Sequence, residues 1–348
     1  MKILSVANFS NYNDSNTALH RHWALMRLGA IVDKVDTSIS YNFRNKLVKK
    51  LFNLGWVQFY YSGTDIFNEN IILKAKDIYP DIIWIDKGIG IKKETLIRLK
   101  KDHPKIIIIG YSPDEMTKRH NQSREFLESL PYYDAYITTK SYAVENLKRL
   151  GAKQVYFVNN AYEEKFHYPR ELNNNDRENL KADVGFIGMW EKNRAESIIY
   201  LAKKGLKVRV WGGGRWLLYQ NKIENLIIED KALFSEEYSK ALSAIKINLC
   251  FLRKMNNDLQ TTRTMEIPAC GGFMLAERTQ EHEQLFVDEK EAVFFSTNQE
   301  LYEKCMFYLS NENIRTSIAQ AGYQKCLSAG YSNYNTLKSV IERILNDR

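Results

Sequence analysis

With 348 residues, 44% of them hydrophobic, the chain is long enough for two domains with separate cores, and its formal net charge of +8 suits anionic partners. Lysines and arginines are mixed with acids instead of gathered in blocks, which argues against nucleic acid and leaves nucleotide diphosphates or acidic lipid head groups. Four separated cysteines, Cys250, Cys270, Cys305 and Cys326, form no CxxC pair, so zinc knuckles and disulfide scaffolds are excluded and reduced, mostly buried thiols are expected.

The first strand is KILSVA. The opening MKILSVANFSNYNDSN turns polar too soon for a signal peptide, and no apolar run is long enough to span a bilayer. A cytoplasmic protein is expected, with contact at the inner face of the membrane left open. A helix near Asn16 to Leu28 ends at Gly29, and AIVDKVD starts a second strand. Residues 43–61, FRNKLVKKLFNLGWVQFYY, mix lysines with aromatic and aliphatic residues. Two readings stand: a stripe that docks on an anionic membrane, or a helix that covers its own sheet. DIIWID and KIIIIGYS are buried strands with the helix KKETLIRLKK between them. DAYITT, a helix from Tyr142 to Leu150 stopped by Gly151, and QVYFVNNA close the sheet.

After Pro169 the polar run ELNNNDRENLK is the expected linker. The expected division is a first domain at 1–168, a linker at 169–182, a second domain at 183–333, and an amphipathic helix at 334–348 that crosses back to the first domain. ADVGFIG, a helix from Ala195 to Lys204 and KVRVWGGG repeat the order that opens the chain, and INLCFL, GFMLAE and AVFFS supply later strands. The pattern implies an α/β protein of two doubly wound, Rossmann-like domains facing a cleft, with ligands at the carboxyl ends of the strands.

The stretch RTMEIPACGGFMLAERTQEHE, 263–283, places an acid on a short helix just before a glycine pair. Glu266 can grip a ribose, while the helix start and the backbone of Gly271 and Gly272 accept a diphosphate. The plainer reading is a capped helix. In WGGGRW, 211–216, Gly212 and Gly213 let the backbone approach a base or ribose. Trp216 either stacks on the base or plugs the domain core. No GxGxxG follows the first strand and no Walker lysine is present, so a nicotinamide dehydrogenase is disfavoured.

FIGMWEKNRAE at 186–196, WGGGRW at 211–216 and RTMEIPACGGFMLAERTQEHEQLF at 263–286 resemble the GT-B glycosyltransferases, in particular the group 1, CgeB-like (spore maturation protein-like) branch. The likeness extends through YSPDEM at 111–116, DAYITTKS at 134–141 and GAKQVYFVNNAYEEKFHYP at 151–169, and so covers most of the chain. It implies that Glu266 bonds the nucleotide ribose and that Asp258, eight positions earlier, faces the donor sugar or its phosphates. The family usually has Glu at that first place, so Asp258 is one methylene short. Gly188 fits the family turn. Met189 stands where many relatives carry Arg, so Lys192 or Arg194 must supply the charge, and Arg194 is preferred. Arg263, a turn ahead of Glu266, either reaches the diphosphate or pairs with a neighbouring acid.

In such a transferase the acceptor is expected on the first half. Candidate positions are Asn8, Ser10, Asn16, Thr17 and His20, then Lys87 and Asp114. Inversion would need a base, Asp114 or His20, whereas retention needs none. His20 is otherwise a packing residue and Asp114 a helix-start acid. The resemblance thus implies a glycosyltransferase, retaining in preference to inverting. It would move sugar from a nucleotide diphosphate donor to a glycan or lipid-linked acceptor in surface polysaccharide or glycoconjugate assembly. No cofactor and no metal are expected, because cationic side chains neutralise the leaving group and no DxD pair is evident. The alternatives are a nucleotide-sugar epimerase of the same architecture and a non-catalytic nucleotide-sugar-binding protein of an envelope or spore layer.

Overall fold

Parallel strands buried on both faces need helical crossovers between them, and the first half of the chain supplies these in turn. In the computed structural model, which describes residues 1–9, 13–38, 47, 48, 50, 51, 53, 54 and 63–347, two units are distinguished. The first unit comprises Met1–Asn159 and Tyr334–Arg348. Its strands are β1 (Lys2–Ala7), β2 (Ile31–Asp36), β3 (Ile82–Asp86), β4 (Ile107–Ser112), β5 (Ala135–Thr138) and β6 (Val155–Phe157). They lie in the order β2-β1-β3-β4-β5-β6, every pair parallel.

Side chains alternate between two apolar layers, as a strand period of two requires. Leu4, Val6, Ile83, Ile85 and Ile108 pack on one face against Phe67, Ile71, Leu96 and Phe126. Ile3, Trp84, Ile107, Ile109 and Ile137 pack on the other against Leu25 and the helix Asn333–Asn346. That helix presents Leu337, Val340, Ile341 and Ile344 at spacings of three and four, one continuous stripe. It therefore belongs to the first unit. The helix Thr17–Arg27 starts at Asn16, whose Oδ1 accepts from the Ala18 N–H at 2.9 Å.

The second unit, Asn160–Asn333, has β7 (Ala182–Ile187), β8 (Val208–Trp211), β9 (Leu226–Glu229), β10 (Ile245–Cys250), β11 (Met274–Glu277) and β12 (Val293–Phe295). Their order is β12-β11-β10-β7-β8-β9, again all parallel. The division between units falls at Asn159 and Asn160, ahead of the expected linker. Residues 169–182 instead hold the helix Asn174–Leu180 and the first residue of β7. The Asp176 N–H donates to Asn173 Oδ1 at 2.8 Å and the Asn173 N–H to Asp176 Oδ2 at 3.3 Å, a reciprocal cap that explains the run of Asn and acids.

All four cysteines are unpaired, buried thiols. Among the described residues no helix is long and apolar enough to cross a membrane. The stripe expected over 43–61 lies, except for Leu47, Val48, Lys50, Leu51, Asn53 and Leu54, outside the described residues, as does Ser10.

Candidate functional site

In the second sheet the strand order reverses between β7 and β10, and a crevice for ligands forms where the carboxyl ends of such strands diverge. The loop after β7 runs against the loop after β8: the Gly188 N–H donates to the Trp211 carbonyl at 2.8 Å and the Trp190 N–H to the Gly213 carbonyl at 3.2 Å. A Cβ on Gly212 would stand 2.0 Å from the Gly188 oxygen, so only glycine permits this approach. Beneath it lies Trp216, fully buried, donating Nε1–H to the Gly188 carbonyl at 2.9 Å and meeting Phe186 edge-on at 5.9 Å. This corrects one expectation. Trp216 offers no surface to a base and plugs the core beneath the loop.

Two guanidiniums converge above this floor. Arg194, in the first turn of the helix Lys192–Lys203, is 2% exposed and lies 5.7 Å from the Phe186 ring. Arg263, in the first turn of the helix Thr262–Ala269, lies 5.8 Å from the same ring, and its guanidinium approaches to 3.4 Å of the position a Cβ on Gly188 would take. The Nε–H of each is buried without a partner. Burial, and next the positive charge of Arg263, holds Arg194 down to about 10. Glu191 stands 4.0 Å from Arg194 but is 3.0 Å from Arg253, which shares its charge. The terminal nitrogens of Arg194 donate to the carbonyls of Met189 at 3.1 Å and Phe251 at 3.5 Å, so its unmet donor is the Nε–H. Lys192, the other candidate, is 78% exposed at its side chain and leans toward Glu196 at 3.8 Å.

The helix Thr262–Ala269 follows β10 and leads to the parallel strand β11, so its start lies at the carboxyl edge and its end at the opposite edge. Gly271 (φ 70°) and Gly272 close that far end, donating to the carbonyls of Pro268 at 2.8 Å and Ile267 at 3.0 Å. The expected phosphate contact of this glycine pair is therefore corrected. A helix C-terminus presents carbonyls and the negative end of the dipole, which repel a diphosphate.

Glu266, 7% exposed, accepts a hydrogen bond at Oε2 from the Tyr238 hydroxyl at 2.7 Å. His167 Nε2 lies 3.9 Å from Glu266 Oε1, while its Nδ1 accepts from the Glu163 N–H at 3.0 Å. The neutral ring thus carries its hydrogen on the nitrogen that faces Glu266. Burial, then Arg170, pulls His167 down to about 3, so it is neutral at ordinary pH. Burial, and then the Glu266 charge, raises Tyr238 well above its ordinary value, with Arg263 opposing. Arg263 and Glu266 therefore act on one phenol. Neither Tyr238 nor His167 was expected from sequence.

Asp258 is 9% exposed in the loop between β10 and that helix start, following Asn257 in the left-handed region (φ 48°). Its N–H donates to the Arg253 carbonyl at 3.2 Å. The loop is anchored by Gln260, which accepts from the Asn160 N–H and donates to Glu281, both at 2.9 Å.

In the first unit, Asp114 lies in the loop after β4, with its carboxylate 2.6 Å from Lys87 Nζ. Asn16 is a helix cap, and its Nδ2 donates to the Asn8 carbonyl at 2.8 Å. His20 is 5% exposed, stacks on Trp23 at 5.7 Å and has Nε2 2.6 Å from the Asp14 carbonyl. A carbonyl only accepts, so that nitrogen holds a hydrogen. That tautomer makes Nδ1 the basic nitrogen, while the burial of His20 and its stacking on Trp23 match the packing reading.

The fold is GT-B, two parallel α/β units. A family model described as glycosyl transferase-like matches residues 194–342. HepE from Anabaena, solved in complex with UDP-glucose, is 10% identical and covers 99% of this chain and 100% of its own, with a TM-score of 0.66. Sucrose-phosphate synthase from Thermosynechococcus elongatus is 13% identical over 100% of both chains, TM-score 0.66. A glycosyltransferase from Rickettsia africae is 12% identical over 100% of this chain and 99% of its own, TM-score 0.65. At such identities the likeness speaks to fold alone. No curated protein sequence matches.

Proposed function

We propose that the chain is a glycosyltransferase of the group 1, CgeB-like branch, taking a sugar from a nucleotide diphosphate donor held by the second unit and passing it to a glycan or lipid-linked glycan. The observation that carries this is the Arg194–Arg263 pair at the point where strand order reverses. As the bond from the sugar to the diphosphate breaks, negative charge grows on the leaving oxygens. Two fixed guanidiniums stabilise that charge most in the transition state. They do the work a divalent ion would otherwise do, so the reaction is read as metal-independent. Glu266 accepts from the ribose, and Asp258, at the same edge, faces the sugar. Retention suits the first unit, since Asp114 is paired with Lys87.

HepE was solved with UDP-glucose, which makes UDP-sugars the first donors to try. Calorimetry with UDP and with uridine tests the reading. Arg263→Met should weaken UDP about 10–100-fold and leave uridine unchanged, as loss of a charge-assisted contact predicts. UDP binding equal to that of the unaltered protein would remove the diphosphate from this site. Epimerised sugar formed from donor alone would assign an epimerase instead.

A further inference from the structure

At the carboxyl edge of the first sheet, where order reverses between β1 and β3, the first unit holds a cavity of about 410 Å³. That is the size of a small-molecule site. On its wall lies Arg21, 5% exposed, which donates through Nε and one terminal nitrogen to the two oxygens of Asp86 at 2.5 and 3.1 Å. The same guanidinium lies 4.4 Å over the Tyr111 ring. A buried ion pair gives little net stability compared with apolar packing, so its place in a cavity wall asks for another explanation. Beside it the backbone is strained: Lys87 is left-handed at φ 64°, and Gly88 follows at φ 51°. Tyr133 stands 2.6 Å from where a Cβ on Gly88 would be, and the Lys87 N–H is bound to the Tyr111 carbonyl at 2.6 Å. Strain of this kind in a cavity-lining loop points to a function that the rest of the fold holds in place.

The chemistry of the lining narrows the ligand. Among the described residues, its cations are Arg21 and Lys87 and its anions Asp86 and Asp114, and each cation touches a carboxylate, at 2.5 and 2.6 Å. A phosphate or carboxylate ligand would have to part a cation from its partner and lie against two like charges. A ring bearing hydroxyl groups meets no such cost. Carboxylates accept from hydroxyls, the ammonium and guanidinium donate to them, and Phe67 with Ile91 offers an apolar face for the carbon side of the ring.

We propose that this cavity binds an uncharged, polyhydroxylated acceptor, a sugar unit presented without phosphate, with Lys87 and Asp114 as its contacts at the strand ends. The proposal rests on reading the chain as a transferase, and it names the acceptor class that reading leaves open.

The test is ligand-observed NMR and calorimetry on the full chain with a panel of methyl hexosides and the matching hexose phosphates, each with and without UDP. Lys87→Gly, which suits the left-handed backbone, and Asp114→Asn are the variants. At least one neutral glycoside should bind and lose affinity about tenfold or more in both variants, with its phosphate no tighter. Unchanged thermal unfolding and urea midpoints of the variants report an intact first unit, and unchanged UDP binding an intact second. A phosphate bound tenfold tighter than its glycoside and lost in Lys87→Gly would overturn the proposal, as would glycoside binding indifferent to both changes or absent from the whole panel. Failure of UDP alone to bind, with glycoside binding still dependent on Lys87, would count against the donor site and not against this cavity.

Discussion

The hydroxyl of Tyr238 donates to Oε2 of Glu266 at 2.7 Å, joining the helix Ser235–Ala244 to the helix that carries the donor-side acid. Two donors, this phenol and the Nε2–H of His167 at 3.9 Å, therefore address the carboxylate expected to meet a ribose. Burial, and then the Glu266 charge, raises the phenol well above its ordinary value, so it stays protonated and a donor at neutral pH.

Tyr238→Phe should weaken UDP about tenfold, because a bond to a charged acceptor is lost from the carboxylate proposed to hold the ribose. The preference for UDP over its 2′,3′-dideoxy analogue should shrink in parallel. Calorimetry with both nucleotides measures this, and an unchanged preference would show that Tyr238 does not orient Glu266.

The second unit should lose stability on mild acidification. His282, fully buried, is held down to about 4 by burial, and His167 to about 3, against an ordinary value of 6.5. Above pH 6.5 both rings are neutral folded or unfolded and nothing is lost. Below it the unfolded chain takes up protons that the folded chain refuses, so stability falls with pH, for His282 until about pH 4. The loss is about 1.4 kcal/mol per pH unit and per ring, or about 3 kcal/mol in all for His282. Urea midpoints of the unaltered protein and His282→Gln between pH 7 and 4 should show a shallower slope in the variant; identical slopes would refute the assignment.

Gly212→Ala should cost about 1–3 kcal/mol through overpacking, since its methyl would stand 2.0 Å from the Gly188 carbonyl. Because Gly188 also borders the Arg263 guanidinium, UDP affinity should fall with it. Thermal denaturation and UDP titration of the same sample check both effects. Retention of affinity would separate the loop from the anion site.

Ile341→Ala should destabilise the first unit by about 2–5 kcal/mol, the usual loss for a fully packed aliphatic residue. Limited proteolysis followed by mass mapping would show first cuts within 1–159. Cuts confined to 160–333 would contradict the packing described.

What the sequence reveals depends on how local the signal is. β3 and β4 are legible because they are buried on both faces and read as unbroken apolar runs. β9, Leu226–Glu229, escapes because it is a short edge strand with Ile227 half in solvent. Missing β9 hides the helix after it, and with that helix Tyr238. The polar run before β7 reads as a linker, although Asn and Asp at that spacing also form a reciprocal helix cap. Arg194, Arg263 and Gly188 are legible as neighbours because each leaves the carboxyl end of a strand or opens the helix beyond. The glycines at 271 and 272 close the end of their helix opposite the one expected to meet phosphate, and glycine after a helix is by itself a C-terminal signal.

The first unit is built from two stretches of chain with 174 residues, Asn160 to Asn333, between them. During translation at roughly 5–20 residues per second, the sheet face of Ile3, Trp84, Ile107, Ile109 and Ile137 is made early, yet waits roughly 10–40 s for Leu337 to Ile344 to cover it. The intervening unit has all of its own strands by Phe295 but draws core residues from as late as Cys326, so its packing is completed only shortly before the last helix is made. A nascent chain therefore carries an open greasy surface on its older half until its last helix is made, and a chaperone that shields apolar sheets would find its substrate in that interval.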